Sequence, residues 1–249
     1  VSALTRTAPF NDLDAIAAQL SSADVAAVIL EAVPGNMGCI PPAAGYLEGL
    51  RERTRQAGTL LIVDEVMTGF RLAPGGACER FGIDADLVTM GKIVGGGFPL
   101  AAFGGRAEIM GRLSPAGPVY QAGTLSGNPV AVAAGQATLS LLTADVYERL
   151  EALGARLEDA LRPVLEERQM SMTRLGSMFT IFFRPSPPTH FAEVGQCDMS
   201  AFGRFHRAAL NRGVYLPPSQ YEAAFLPAIL TDEQMEEVIK GLTEALAVA

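Results

Sequence analysis

Two side chains of opposite chemistry each follow a short apolar run. Asp64 comes after residues 59–63, TLLIV, and Lys92 comes after residues 87–90, LVTM, with one glycine between. Continuous apolar runs that lead into turns rather than hairpin signals predict parallel strands covered on both faces. Ligands of open α/β sheets sit outside the carboxyl ends of the strands, so both side chains are expected at one sheet edge. Ile93, Val94, three glycines, Phe98 and Pro99 follow the lysine. This apolar, tightly turning stretch predicts a low-dielectric setting, where an ammonium loses part of its proton affinity and the free amine can attack an aldehyde. A buried Asp64 needs a cationic partner to stay ionised, and a protonated pyridine nitrogen is one. Taken singly, either residue could mark no more than a chain returning to water. The pair argues for chemistry.

The elements around the pair follow from periodicity. Asn11-Asp12 caps a helix with apolar positions at Leu13, Ile16, Ala17 and Leu20. Residues 25–30 form a strand ending at Glu31, and the following loop, VPGNMG, brings Asn36 to the same edge; the alternative is an asparagine holding a Pro-Gly turn. A helix opened by Pro41-Pro42 runs through Leu47 and Leu50 to Gly58. A third short strand over 100–103 and a helix over 106–113 complete successive strand and helix units, which predict an α/β fold with a mixed, mostly parallel sheet. The loop 115–128 contains Gly123-Thr124, whose amide and hydroxyl suit a phosphate but also suit an ordinary turn. Small apolar residues over 130–142 and leucines at helical spacing over 146–167 read as two helices. Beyond them the pattern changes to short strands over 178–183 and 214–216, a helix over 198–211, and a last helix with a Thr231–Gln234 capping box. The expected organisation is an incomplete large domain over 1–143 and a smaller α+β domain over 144–249. His190 and His206 have no carboxylate at a spacing that makes either a base, and both read as structural.

Composition bounds the function classes. With 19 basic and 27 acidic residues the formal charge is −8, which disfavours nucleic acid and anionic membrane as partners. The chain is 49% apolar with a mean hydropathy of +0.25, yet no run of about 18 uncharged apolar residues occurs. Cys39, Cys78 and Cys197 are odd in number and widely spaced, which supports neither a disulfide framework nor a metal site and points to a reducing compartment. Val1–Thr7 carries no signal-peptide pattern.

Three long motifs in order, DEVMTGFR, GKIVGGGFPLAAFGG and GPVYQAGTLSGNP, make the chain resemble the class III aminotransferases among the fold type I pyridoxal phosphate enzymes, along essentially its whole length. The resemblance implies pyridoxal 5'-phosphate, in its aldehyde and amine forms, as cofactor. Lys92 would carry it and shuttle protons, and Asp64 would hold its ring nitrogen. Val66 would pack on the ring and Asn36 would hydrogen-bond near its 3-hydroxyl. Gly123 and Thr124 would reach the phosphate of a neighbouring subunit's cofactor, implying a homodimer, and Glu222 would stand near the substrate. Ala32 stands where the family usually has proline. Met67, where many members have glutamine, and the lack of an obvious arginine clamp over 221–227 favour intramolecular amino transfer. That reaction converts glutamate-1-semialdehyde to 5-aminolevulinate in tetrapyrrole synthesis. The alternatives are an ω-aminotransferase or an amino-acid racemase on another amine, and a non-catalytic fragment. The resemblance also places the chain as the C-terminal part of a longer protein, located in the cytoplasm or, in a plant or alga, the plastid stroma.

Overall fold

The computed structural model describes residues 4–22 and 24–249. The chain forms two compact units, Val1–Ala32 with Ala43–Thr143, and Val33–Pro42 with Ala144–Ala249. A single boundary at 143/144 assigns residues 33–42 to the first unit; the structure packs them with the second.

The first unit is built on four strands in the order β1 (Ala27–Leu30), β2 (Leu60–Glu65), β3 (Leu87–Met90) and β4 (Ala102–Gly105). The first three are parallel and β4 runs antiparallel to β3. Along β2 the side chains alternate: Leu61, Val63 and Glu65 are buried, and Leu60, Ile62 and Asp64 are half-buried. Helices α2 (Tyr46–Gln56) and α3 (Gly76–Phe81) contact β2, with Leu47, Leu50 and Thr54 forming the buried face of α2. On β1, Ile29 is 61% exposed. Cover on both faces, expected from the apolar runs, is therefore found on one. A run of Leu and Ile satisfies either arrangement, so the pattern alone did not decide it.

Helix α1 (Leu13–Leu20) is capped by Asp12, whose carboxylate accepts from Ala15 N–H at 2.8 Å. It crosses α2 at Gly49, where a Cβ would meet the Leu13 side chain at 2.5 Å. Gly45, at φ +77, starts α2 later than the Pro-Pro pair predicts. A one-turn 3-10 helix, Lys92–Gly95, follows β3. Short α4 (Ala107–Met110) follows β4, and α5 (Pro129–Ser140) is capped by Asn128.

At the end of the sheet away from Lys92, the buried Asp86 carboxylate collects hydrogen bonds from three residues. It accepts from Leu61 N–H at 2.7 Å, Arg51 Nη1 at 2.7 Å and Arg106 Nη1 at 2.8 Å. Burial alone would raise its pKa. The hydrogen bonds from Arg51, Leu61 and Arg106 outweigh it and hold the group at about 2.

The second unit packs the long helix α6 (Ala144–Glu167) and a three-stranded antiparallel sheet, β5 (Ser171–Leu175), β6 (Met178–Phe182) and β7 (Ala224–Phe225), with later helices. Leu153, Leu157, Leu161 and Leu165 of α6 share a core with Phe205 of α8 (Met199–Asn211) and with Met235 and Leu242 of α9 (Asp232–Ala247). Short α7 (Phe191–Val194) precedes α8. The Thr231–Gln234 capping box is formed as predicted. Residues 214–216 are not a strand; the sheet takes Ala224–Phe225 instead. Val214 N–H is used closing the end of α8, on Ala209 O at 3.0 Å. His206 Nε2 hydrogen-bonds Leu216 O at 3.0 Å and its ring stacks on Phe202, a structural role.

Residues 33–42 are bound into this unit by backbone hydrogen bonds, Gly38 N–H to Tyr221 O at 2.7 Å and Ala223 N–H to Gly35 O at 3.0 Å. Cys39 N–H donates to Thr180 Oγ1 at 2.9 Å. Gly38 has φ +87, and a Cβ there would lie 2.6 Å from the Phe182 ring. Among the described residues no single helix is long and apolar enough to cross a membrane.

Candidate active site

Asp64 and Lys92 reach one sheet edge through neighbouring parallel strands. Asp64 is paired in register with Thr89, three residues before Lys92. Its Oδ1 accepts from Val66 N–H at 2.9 Å and from Thr89 Oγ1 at 3.2 Å. Both donors fall on one oxygen, and among the described residues no hydrogen bond reaches Oδ2. The carboxylate is thus fixed in orientation with one oxygen free to accept.

The Val66 side chain lies over Gly91, where a Cβ would approach Val66 Cγ1 at 3.2 Å. This contact joins the residue after the β2 acids to the residue before the lysine. Lys92 begins the 3-10 turn at φ +49, a left-handed conformation that non-glycine residues rarely hold. Its side chain is exposed, whereas Val94 and Gly95 of the same turn are buried. The residues of this chain alone do not enclose the lysine in the dry pocket predicted from the flanking apolar residues. In a three-residue turn the buried side belongs to Val94, and Lys92 projects from another side.

Gly123 and Thr124 lie in an exposed turn ahead of α5, closed by Ser126 N–H on Gly123 O at 3.0 Å. Asn36 and Glu222, both exposed, belong to the second unit. They are brought together there, because the hydrogen bonds from Gly38 to Tyr221 and from Ala223 to Gly35 bracket them on adjacent segments. Glu222 also borders a small cavity lined by Thr180, Phe202, Phe205, Leu216 and Ser219.

Two residues that sequence reasoning passed over support the acid. Thr89 orients the Asp64 carboxylate, as above. Glu65, read only as part of the strand end, is 3% exposed, and its carboxylate accepts from Ala77 N–H at 3.0 Å, Cys78 N–H at 2.7 Å and the Thr68 hydroxyl. It ties the start of α3 to the end of β2 and so closes the loop that carries Val66 and Met67. Gly76, at φ +68, makes room for it, since a Cβ would lie 2.5 Å from the carboxyl oxygen. An acid inside an apolar strand with Thr68-Gly69 beyond it was the available signal. Glu65→Gln leaves one acceptor oxygen for three donors, so we expect a loss of about 1–3 kcal/mol in urea unfolding.

The thiols offer no competing nucleophile. Burial pushes Cys39 up to about 12, and burial followed by the Glu65 charge pushes Cys78 up to about 12. Burial also raises Cys197. None forms a disulfide.

A family model described as Aminotransferase class-III matches residues 3–246. Among curated proteins, the chain is 54% identical over 247 residues to a glutamate-1-semialdehyde 2,1-aminomutase from Sorangium cellulosum, covering 98% of this chain and 56% of that protein. It is 51% identical to one of the same name from Heliobacterium modesticaldum, covering 98% and 57%. Among solved structures, an omega-transaminase from Sphaerobacter thermophilus superposes with a TM-score of 0.89 at 32% identity, over 96% of this chain and 56% of that one. A glutamate-1-semialdehyde-aminomutase from Pseudomonas aeruginosa PAO1 in complex with PMP gives 0.88 at 32% identity, over 98% and 56%. The chain therefore spans a little over half the length of the relatives it matches.

Proposed function

Since the chain belongs to the class-III aminotransferase family, we propose that it carries the lysine and the ring-binding acid of a pyridoxal phosphate enzyme that converts glutamate-1-semialdehyde to 5-aminolevulinate. The observation that carries the reading is 54% identity to an enzyme of that name over 98% of this chain. The residues fit the cofactor by their chemistry. A carboxylate with one oxygen held and the other free suits a protonated ring nitrogen, and an exposed primary amine begins the turn after the adjacent strand.

When bound, pyridoxal phosphate supplies an electron sink for a substrate carbanion. The chain's residues do the rest. The free oxygen of Asp64 would keep the ring nitrogen protonated, because an adjacent negative charge favours the charged form. Val66, lying over Gly91, would supply an apolar branched surface for the ring, and Asn36 would hydrogen-bond near the ring's hydroxyl. Lys92 Nζ would hold the cofactor and move a proton between the substrate carbon and the cofactor's C4′ carbon, and Glu222 would stand near the substrate. The amino group moves between adjacent carbons and nothing leaves, so the net change is an isomerisation. Gly123 and Thr124 are assigned to the phosphate bound by a neighbouring copy, making the working unit a homodimer, in the cytoplasm.

The test is turnover of the intact protein given glutamate-1-semialdehyde and no keto acid, with 5-aminolevulinate as the expected product. An absolute requirement for an added keto acid would overturn it in favour of an ω-aminotransferase. That second reading rests on the TM-score of 0.89 to the Sphaerobacter enzyme, beside 0.88 for the aminomutase.

A further inference from the structure

The left-handed conformation of Lys92 is held from outside its own strand. The 3-10 turn it begins packs against α5, and the two meet backbone to backbone at two glycines. A Cβ built on Gly135 would lie 2.2 Å from Val94 O, and one built on Gly96 would lie 2.4 Å from Ala134 O and 2.5 Å from Thr138 Oγ1. Neither contact leaves room for a methyl group. Within the turn, Val94 N–H bonds Gly91 O at 3.2 Å and Gly96 N–H bonds Ile93 O at 3.0 Å. A strained residue persists only where its surroundings over-determine it. Here the surroundings are the Val66 contact on Gly91 and the α5 contact on Val94 and Gly96.

We propose that Gly135, in the middle of α5, is a positioning residue for Lys92: its missing side chain lets α5 press on the Val94 carbonyl and so sets where the lysine nitrogen stands. The proposal rests on the reading of Lys92 as the cofactor-carrying amine. An alanine at a mid-helix glycine ordinarily stabilises a helix. At Gly135 it must push the turn away by on the order of 1 Å, and a displacement of that size at a reacting group can cost about 100-fold.

The chain contains one other lysine, Lys240, exposed on α9 in the second unit, which serves as an internal reference. In the intact protein, pyridoxal phosphate is captured with borohydride for a fixed time, and its incorporation at Lys92 and at Lys240 is counted by peptide mass spectrometry. Wild-type protein is expected to favour Lys92 strongly. Equal labelling of the two lysines in wild type would overturn the reading of Lys92 itself. For Gly135→Ala the Lys92 to Lys240 ratio is expected to fall by about 100-fold, with helical circular dichroism unchanged. An unfolded chain would also lose the preference for Lys92, so the unchanged circular dichroism is what separates displacement of the turn from loss of the fold. Gly203→Ala on α8, where a Cβ meets nothing within 4 Å, should leave the ratio at its wild-type value. If Gly135→Ala fails to fold, Thr138→Ala decides. It opens a gap beside Gly96, so the ratio is expected to fall in the same direction by less. A wild-type ratio in a folded Gly135→Ala protein overturns the proposal, as does a wild-type ratio in Thr138→Ala where only that variant folds.

Discussion

Lys92→Ala is expected to abolish the visible absorbance of lysine-held pyridoxal phosphate and to lower turnover by at least about 100- to 10,000-fold, the usual contribution of a positioned proton-transfer group. Loss of the covalent attachment adds to that. This chain's one other lysine, Lys240, is exposed on α9 in the second unit. Arginine in place of Lys92 is expected to fail equally, since a guanidinium stays protonated and is no nucleophile. Stability separates this from unfolding. Lys92 is exposed and makes no ion pair among the described residues, so the unfolding free energy should change by no more than about 0.5 kcal/mol. Turnover of Lys92→Ala at the wild-type rate would contradict the assignment.

Asp86→Asn is expected to have the largest effect on stability. Removing the charge leaves the largely buried Arg51 guanidinium with only the exposed Asp84, 3.9 Å away, as counter-ion, and breaking a buried pair from one side costs about 3–5 kcal/mol. The Arg106 pair contributes less, because that side chain is half exposed. The same site sets a pH dependence. Its folded pKa is depressed to about 2 from 3.8, so its contribution is fully present above about pH 4 and is lost as pH falls toward 2. The depression corresponds to about 2 kcal/mol. Urea unfolding of wild-type chain at pH 5 and pH 2.5 should show this decline superimposed on the general acid effect, and Asp86→Asn should lack it. Equal acid sensitivity in the two proteins would show that the carboxylate is not the source.

The local signals in the chain were read where physics acts over a few residues. Asp12 caps α1 and Thr231 with Gln234 closes the box on α9, because a capping side chain and its amide lie within one turn of each other. The placement of Asp64 near the end of β2 and of Lys92 just past the end of neighbouring β3 followed from strand direction, which the alternation of strands and helices controls. What stayed hidden depends on distant partners. β5, with the sequence SMTRL, alternates polar and apolar residues weakly and becomes a strand by pairing with β6. β4 turned out antiparallel because a short connection after the 3-10 turn returns the chain directly beside β3. Lys92 was expected in a dry pocket because flanking apolar residues say that something is buried, not which side of the turn is. Glu65 was obscured by Asp64: two adjacent acids at a strand end look alike in sequence and point to opposite faces in a strand.

The excursion of residues 33–42 into the second unit bears on how the molecule is made. A ribosome delivers this segment long before its partners: Cys39 waits for Thr180, 141 positions downstream, and Gly38 for Tyr221. Links of such span close slowly because the intervening chain must first be gathered. The second unit therefore cannot complete itself during synthesis of the first, and a message cut short before the codon for Tyr221 strands an apolar strip, Val33 with Cys39 and Ile40, that the finished protein keeps out of water. Nascent chains arrested at that length should be preferred clients of chaperones, and those extended past the last helix should not.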